Sequence, residues 1–151
     1  MNNLLAHQRF HFGVYGVLIE KGQILMIKKS RGPYKGTYDL PGGGVEFNEK
    51  IEDALKREFQ EEAAITLDTL KFFEYNEYFS EYINENSELR KMHHVGLYYL
   101  VSATFKSIKK DSDGHDSLGA EFIDINKLNK ENISPIARPI IERVIQNFDK
   151  K

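Results

Sequence analysis

The chain has 151 residues, 40% hydrophobic and 29% charged, with a formal net charge of −2. That size suits a single soluble domain over residues 1–151, and that charge argues against a binder of nucleic-acid polymers held by phosphate attraction. No cysteine is present, which excludes disulfides, thiol catalysis and thiolate zinc sites and fits a reducing cytoplasm, and no apolar run is long enough to span a membrane.

Residues 1–7 lack the basic-then-apolar order of a secretory leader. Residues 11–20 and 23–29 read as strands, joined at Lys21-Gly22 as a hairpin. Residues 30–37 form a polar loop. Lys28, Lys29, Arg31 and Lys35 at its ends could steer or hold a polyphosphate, or simply be solvated. Gly32 to Thr37 is no Walker loop, because no Gly-Lys-Ser/Thr follows. A short strand at 38–40 runs into Pro41-Gly42-Gly43-Gly44, where glycines let backbone approach a ligand closely. A helix should follow, with Asn48 as N-cap and Glu49 in its first turn, its free N–H groups favouring an anion.

That helix is asked to bury acid. At about 100° per residue, Ile51, Ala54, Leu55 and Phe59 fall on one side. Lys50, Glu52, Asp53, Lys56, Arg57 and Gln60 fall on the other. The inward stripe continues through Glu58 and Glu62, with Glu61 beside them. Three carboxylates so spaced repel one another, and burying them costs several kcal/mol unless a positive group sits among them. A hard divalent cation, Mg²⁺ or Mn²⁺, is the simplest remedy.

Downstream, residues 69–82 and 92–106 read as aromatic-rich strands around a polar connection at 84–90, and 121–125 as a shorter strand. Pro135 opens a helix to about residue 147, apolar at Ile136, Ile140, Ile141, Val144 and Ile145. Tyr38, Phe73, Tyr75 and Tyr78 could stack on a base, or be ordinary strand aromatics. His93 and His94 should face opposite sides of their strand and so cannot share one ion. Residues 111–116 are only loosely similar to a calcium loop and read as a polar turn, since position twelve is Phe122. Mixed strands with one central and one terminal helix indicate an α/β sandwich.

The segment Gly43-x5-Glu49-x7-Arg57-Glu58-Phe59-x-Glu61-Glu62-x-Ala64-Ile65 resembles the Nudix box, the signature of hydrolases that cleave nucleoside diphosphates linked to another group. Two positions depart from the pattern: Ala64 replaces the usual glycine, and Tyr38 a frequent tryptophan. The resemblance implies an α/β/α sandwich with a curved mixed β-sheet between helices. It implies that Glu58, Glu61 and Glu62 hold the metal, with Glu58 or a nearby carboxylate helping to deprotonate water. It implies that Arg57 orients the acids through ion pairs that include Glu49, and it makes Glu121 a candidate further ligand. Gly42, Gly43, Gly44, Arg31, Lys35 and Tyr38 become candidates for substrate binding. The implied partner is a small nucleotide: a di- or triphosphate, a dinucleoside polyphosphate or a nucleotide sugar. A homodimer is open. The proline that marks many ADP-ribose hydrolases is absent, with Glu81 in its place, whereas Tyr82 fits a tyrosine of dinucleoside-polyphosphate hydrolases. The alternative is a non-catalytic nucleotide-binding or sensor domain on the same fold, against which the intact acidic box argues. An isoprenoid isomerase would need cysteine.

Overall fold

The computed structural model describes residues 7–111 and 117–149, so most of the polar turn read at 111–116 lies outside the described residues. The strands are β1 (Gln8–Val17), β2 (Ile19–Glu20), β3 (Gln23–Lys29), β4 (Tyr38–Asp39), β5 (Gly42–Gly44), β6 (Leu67–Ile83), β7 (Leu89–Ala103) and β8 (Ser117–Asp124). The helices are α1 (Ile51–Ala63) and α2 (Arg138–Asp149). One sheet has the order β5-β1-β7-β6, and a second is centred on β3, which pairs with β2, β4 and β8. Only β1 and β7 run parallel among these pairs. Backbone bonds from Gly16 N to the Pro41 carbonyl and from Leu25 N to the Leu18 carbonyl, both 3.0 Å, stitch the sheets together. This is the mixed α/β architecture expected from the sequence.

The expected first hairpin is real only at its tip. Ile19 and Glu20 pair with Ile24 and Gln23, but β1 leaves for the other sheet and lies between β7 and β5. The reason is burial: residues 13–17 are buried without alternation, which suits a strand covered on both faces rather than the arm of an exposed hairpin.

Each helix covers one face. Against α1, Leu55, Phe59 and Ile65 pack with Val14, Leu25, Ile27 and Tyr99. Against α2, Ile136, Ile140 and Val144 pack with Tyr15, Met26, Leu40 and Tyr98. Each such apolar side chain, once buried, contributes roughly 1.5–3 kcal/mol. Phe59 sits flush on β1: a Cβ added at Gly16 would lie 2.7 Å from its ring. Among the described residues no helix is long and apolar enough to cross a membrane.

Both ends of α1 are informative. The N-cap is Lys50 rather than Asn48. Asn48 instead takes a left-handed φ of +64°, which asparagine tolerates. It does so inside a turn in which Glu49 N bonds the Glu46 carbonyl at 3.0 Å while the Glu49 carboxylate accepts from Glu46 N at 3.1 Å. At the other end Ala64 adopts φ 56°, ψ 39°, the left-handed cap for which glycine is the usual residue, and its N–H reaches the Gln60 carbonyl.

Candidate active site

The glycine turn and α1 meet edge to face. Gly42 has φ +146°, a value L side chains rarely adopt, and a Cβ there would strike the Val14 carbonyl. Its N–H donates to Glu62 Oε1 at 2.8 Å. A Cβ on Gly43 would lie 2.6 Å from Glu58 Oε1, so the carboxylate rests directly on the turn.

The three glutamates are not equally inward. Glu62 is buried at 4% exposure, the Glu58 side chain is 15% exposed and that of Glu61 53%. Arg57 gathers them. Its Nη1 donates to Glu58 Oε1 at 3.0 Å and lies 3.3–3.4 Å from both oxygens of Glu61. Its Nε and Nη2 bond Glu49 at 2.8 and 3.0 Å, and Nη2 also reaches the Gly44 carbonyl. Arg57 holds the Glu49 carboxyl down to about 2. The same pairing, with Glu49 first and then Glu58, raises the arginine's own pKa. The residue read as outward-facing is the hub of the acidic cluster.

Among the described residues no three His, Cys, Asp or Glu side chains already form a metal cage. The donors nevertheless fit a hard cation. All are carboxylate oxygens, and two of the carboxylates already crowd one positive nitrogen.

Glu58 and Glu61 face a cavity of about 560 Å³. Arg9, Lys29 and Arg31 also line it, as do Tyr15, Tyr34, Asp39, His11 and His94. Of the residues read as substrate-binding, Arg31 lines this cavity and the glycines flank its acidic wall. Lys35 is exposed and takes no part in the lining.

Tyr38 and Glu121 pair elsewhere. The Tyr38 hydroxyl donates to Glu121 at 2.6 Å, which raises the tyrosine's pKa. Strand alternation explains the separation. Ala120 and Phe122 pack on the α1 side and Ile123 on the α2 side, so Glu121 points away from the helix that carries the glutamates.

His93 and His94 face opposite sides, as expected. His93 bonds Glu77 at 2.8 Å, whereas His94, 1% exposed, meets Tyr15 and Tyr34. Arg9, His11, Tyr15, Tyr34 and Asp39 were not singled out from the sequence. The signal for three of them is the even spacing of Arg9, His11 and Tyr15 (i, i+2, i+6), which puts polar and aromatic groups on one face of β1.

Comparison with known proteins agrees with this geometry. An ADP-ribose pyrophosphatase of Methanocaldococcus jannaschii is 30% identical over 117 residues, 78% of this chain and 63% of that protein. An 8-oxo-dGTP diphosphatase of Buchnera aphidicola is 34% identical over 67 residues, 44% of this chain and 52% of that protein. The matches thus span less than two thirds of these curated relatives' own length. A MutT NUDIX hydrolase structure from Burkholderia pseudomallei superposes with TM-score 0.69 at 26% identity, covering 89% of this chain and 98% of that one. The MutT protein of Methanosarcina mazei Go1 shares the fold at TM-score 0.72 and 20% identity, covering 95% and 98%. A model of the NUDIX domain matches residues 7–144, and with the box on α1 this establishes that the chain belongs to the Nudix family.

Proposed function

We propose that this chain is a divalent-metal-dependent hydrolase of the P–O–P link in a nucleoside diphosphate derivative. The observation that carries the reading is the bipolar cavity: Glu58 and Glu61 on one wall, Arg9, Lys29 and Arg31 on others. Acid and base so opposed suit a phosphate chain bridged to a cation. Hydrolases of this family generally work with a divalent ion; here Glu58, Glu61 and Glu62 would hold it. When bound, it supplies charge neutralisation on the phosphates and a more acidic water. The reaction adds water across the anhydride. The water oxygen bonds one phosphorus, the bridging oxygen leaves with the other phosphate, and the water proton passes to a carboxylate, Glu58 or one beside it. Arg57 orients the acids, and the glycine turn anchors them from the other side, its Gly42 N–H holding Glu62. Arg9, Lys29 and Arg31 stabilise the departing charge. The named relatives act on ADP-ribose and on 8-oxo-dGTP; both are nucleotides with a cleavable anhydride, and the substrate belongs to that class.

A phosphate-release screen over nucleotides tests the reading. EDTA should abolish turnover and Mg²⁺ or Mn²⁺ restore it. Glu58→Gln keeps the side chain's size and should cut kcat by at least about 100-fold without unfolding the protein. Full activity in excess chelator, or a near-normal rate for the variant, would refute the assignment.

A further inference from the structure

The inner end of the cavity holds a polar cluster that hydrolysis of the anhydride does not use. The His94 imidazole is clamped between two phenols: the Tyr15 hydroxyl lies 2.8 Å from Nε2 and the Tyr34 hydroxyl 2.9 Å from Nδ1. The Tyr34 ring also stacks on the imidazole, with centroids 5.6 Å apart and planes inclined by 27°. All three side chains are buried. They come from different places: Tyr15 from β1, His94 from β7, and Tyr34 from the loop between β3 and β4 that also carries Arg31. Tyr15 is the register partner of Gly42, whose N–H holds Glu62. The imidazole therefore ties the wall bearing a cation to the wall bearing the carboxylates.

Burial, with the charges of His11, Lys29 and Arg9 close by, keeps this imidazole neutral, its pKa pushed down to about 3. A neutral ring has one N–H and one lone pair. The cluster thus owns three hydrogens, one on the ring and one on each phenol, and its two contacts consume two of them. Whichever tautomer forms, one phenolic O–H remains. If Nδ1 carries the proton, the spare hydrogen is on Tyr34. If Nε2 carries it, the spare hydrogen is on Tyr15, whose nearest further acceptor is His11 Nε2 at 3.5 Å, too far for a good bond.

We propose that His94 is a positioning residue for the nucleotide: it braces the Arg31 loop against the glycine turn and holds one tyrosine hydroxyl ready to donate to an acceptor atom of a bound nucleoside diphosphate. The proposal rests on the reading of this cavity as the nucleotide site. Tyr34 is the best bearer of that hydroxyl, because it belongs to the same loop as the phosphate-facing arginine.

Calorimetric titration with ADP and with GDP in Mg²⁺ tests it, run beside thermal melts and steady-state hydrolysis. Tyr34→Phe removes one oxygen and keeps the ring. It should weaken nucleotide binding about tenfold and raise KM by a similar factor, with kcat changed less than twofold. His94→Leu should do the same or worse. His94→Gln, whose amide both donates and accepts, should recover most of the affinity. Tyr34→Phe with wild-type affinity overturns the brace, as does a His94→Gln protein no better than His94→Leu. If His94→Leu fails to fold, Tyr34→Phe still decides. A merely structural role would lower the melting midpoint of Tyr34→Phe and leave affinity unchanged. A wild-type protein that binds ADP or GDP but hydrolyses no nucleotide of the phosphate-release screen refutes the hydrolase reading alone, and the brace is then judged on affinity. A wild-type protein that binds neither nucleotide overturns both.

Discussion

Ala64 stands in the left-handed region with its side chain exposed, so its Cβ brings strain and no packing. Glycine occupies that region freely. Ala64→Gly is expected to stabilise the fold by about 1 kcal/mol, a rise in melting temperature of roughly 2–4 °C for a chain of this size. A lower denaturant midpoint for the glycine variant would refute this. Metal dependence should not change, since the residue offers no ligand. The position was legible from the box alone, because a cap is local chemistry: its geometry depends on a few successive residues. Asn48 shows the opposite. Its capping chemistry is also local, yet Glu49 reaches back to Glu46 N and out to Arg57, and the helix starts two residues later than asparagine alone would set it. Glu121, a candidate ligand by resemblance, pairs with Tyr38 instead of joining the α1 carboxylates for a related reason. A residue's type does not reveal strand phase, and a shift of one position decides whether a carboxylate faces α1 or α2.

At the level of elements, α1 is seated by one contact between a ring and a strand that lacks a side chain. Gly16→Ala would place a methyl 2.7–2.8 Å from two carbons of the fully buried Phe59 ring and 3.2 Å from Val101. Such overpacking costs about 1–3 kcal/mol. Because Phe59 follows Glu58 directly, tilting the ring also tilts the acidic wall. Loss of activity is therefore expected to exceed what loss of stability explains. Combining Gly16→Ala with Phe59→Leu should recover part of the stability, by the room a smaller side chain frees. Urea melts of the two single variants and the double variant measure the coupling, and strictly additive effects would show the contact is not the cause. The helix itself was readable because its period is short and its apolar residues are few and regular. The cavity was not: Tyr15 and His94 are 79 residues apart, Tyr34 and His94 60, and nothing in a strand's own pattern names its neighbour. The first hairpin was misread for the same reason, its turn being local and the destination of β1 not.

For the molecule as a whole, acid weakens the fold through two groups that act in the same direction. The His94 imidazole falls from 6.5 to about 3 on folding, so below pH 6.5 the unfolded chain takes up a proton the native state refuses. Its contribution is complete above about 6.5 and is lost as the pH drops towards 3. The Glu49 carboxyl falls from 4.5 to about 2; its contribution is present above 4.5 and is lost as the pH drops towards 2. Denaturant midpoints should thus be level above pH 7 and decline from about pH 6.5 downward. His94→Gln should flatten the upper part of that decline, and an unchanged slope would contradict the neutral imidazole. The parallel ladder of β1 and β7 has a kinetic consequence as well. Gln8 pairs with Lys91 and Val17 with Leu100, so every rung of that ladder closes a loop of more than half the chain. The antiparallel β6–β7 ladder grows outward from the short turn Asn84–Glu88. Loop closure of the first kind is slow and of the second fast, so pulse-labelled amides of β6 and β7 should gain protection before those of β1. Tyr15 enters on the late strand, and the glycine turn pairs with it. A nascent or refolding molecule would then pass through a stage with a formed hairpin and no cavity, and any ligand of that cavity would bind only after the last strand had slid home.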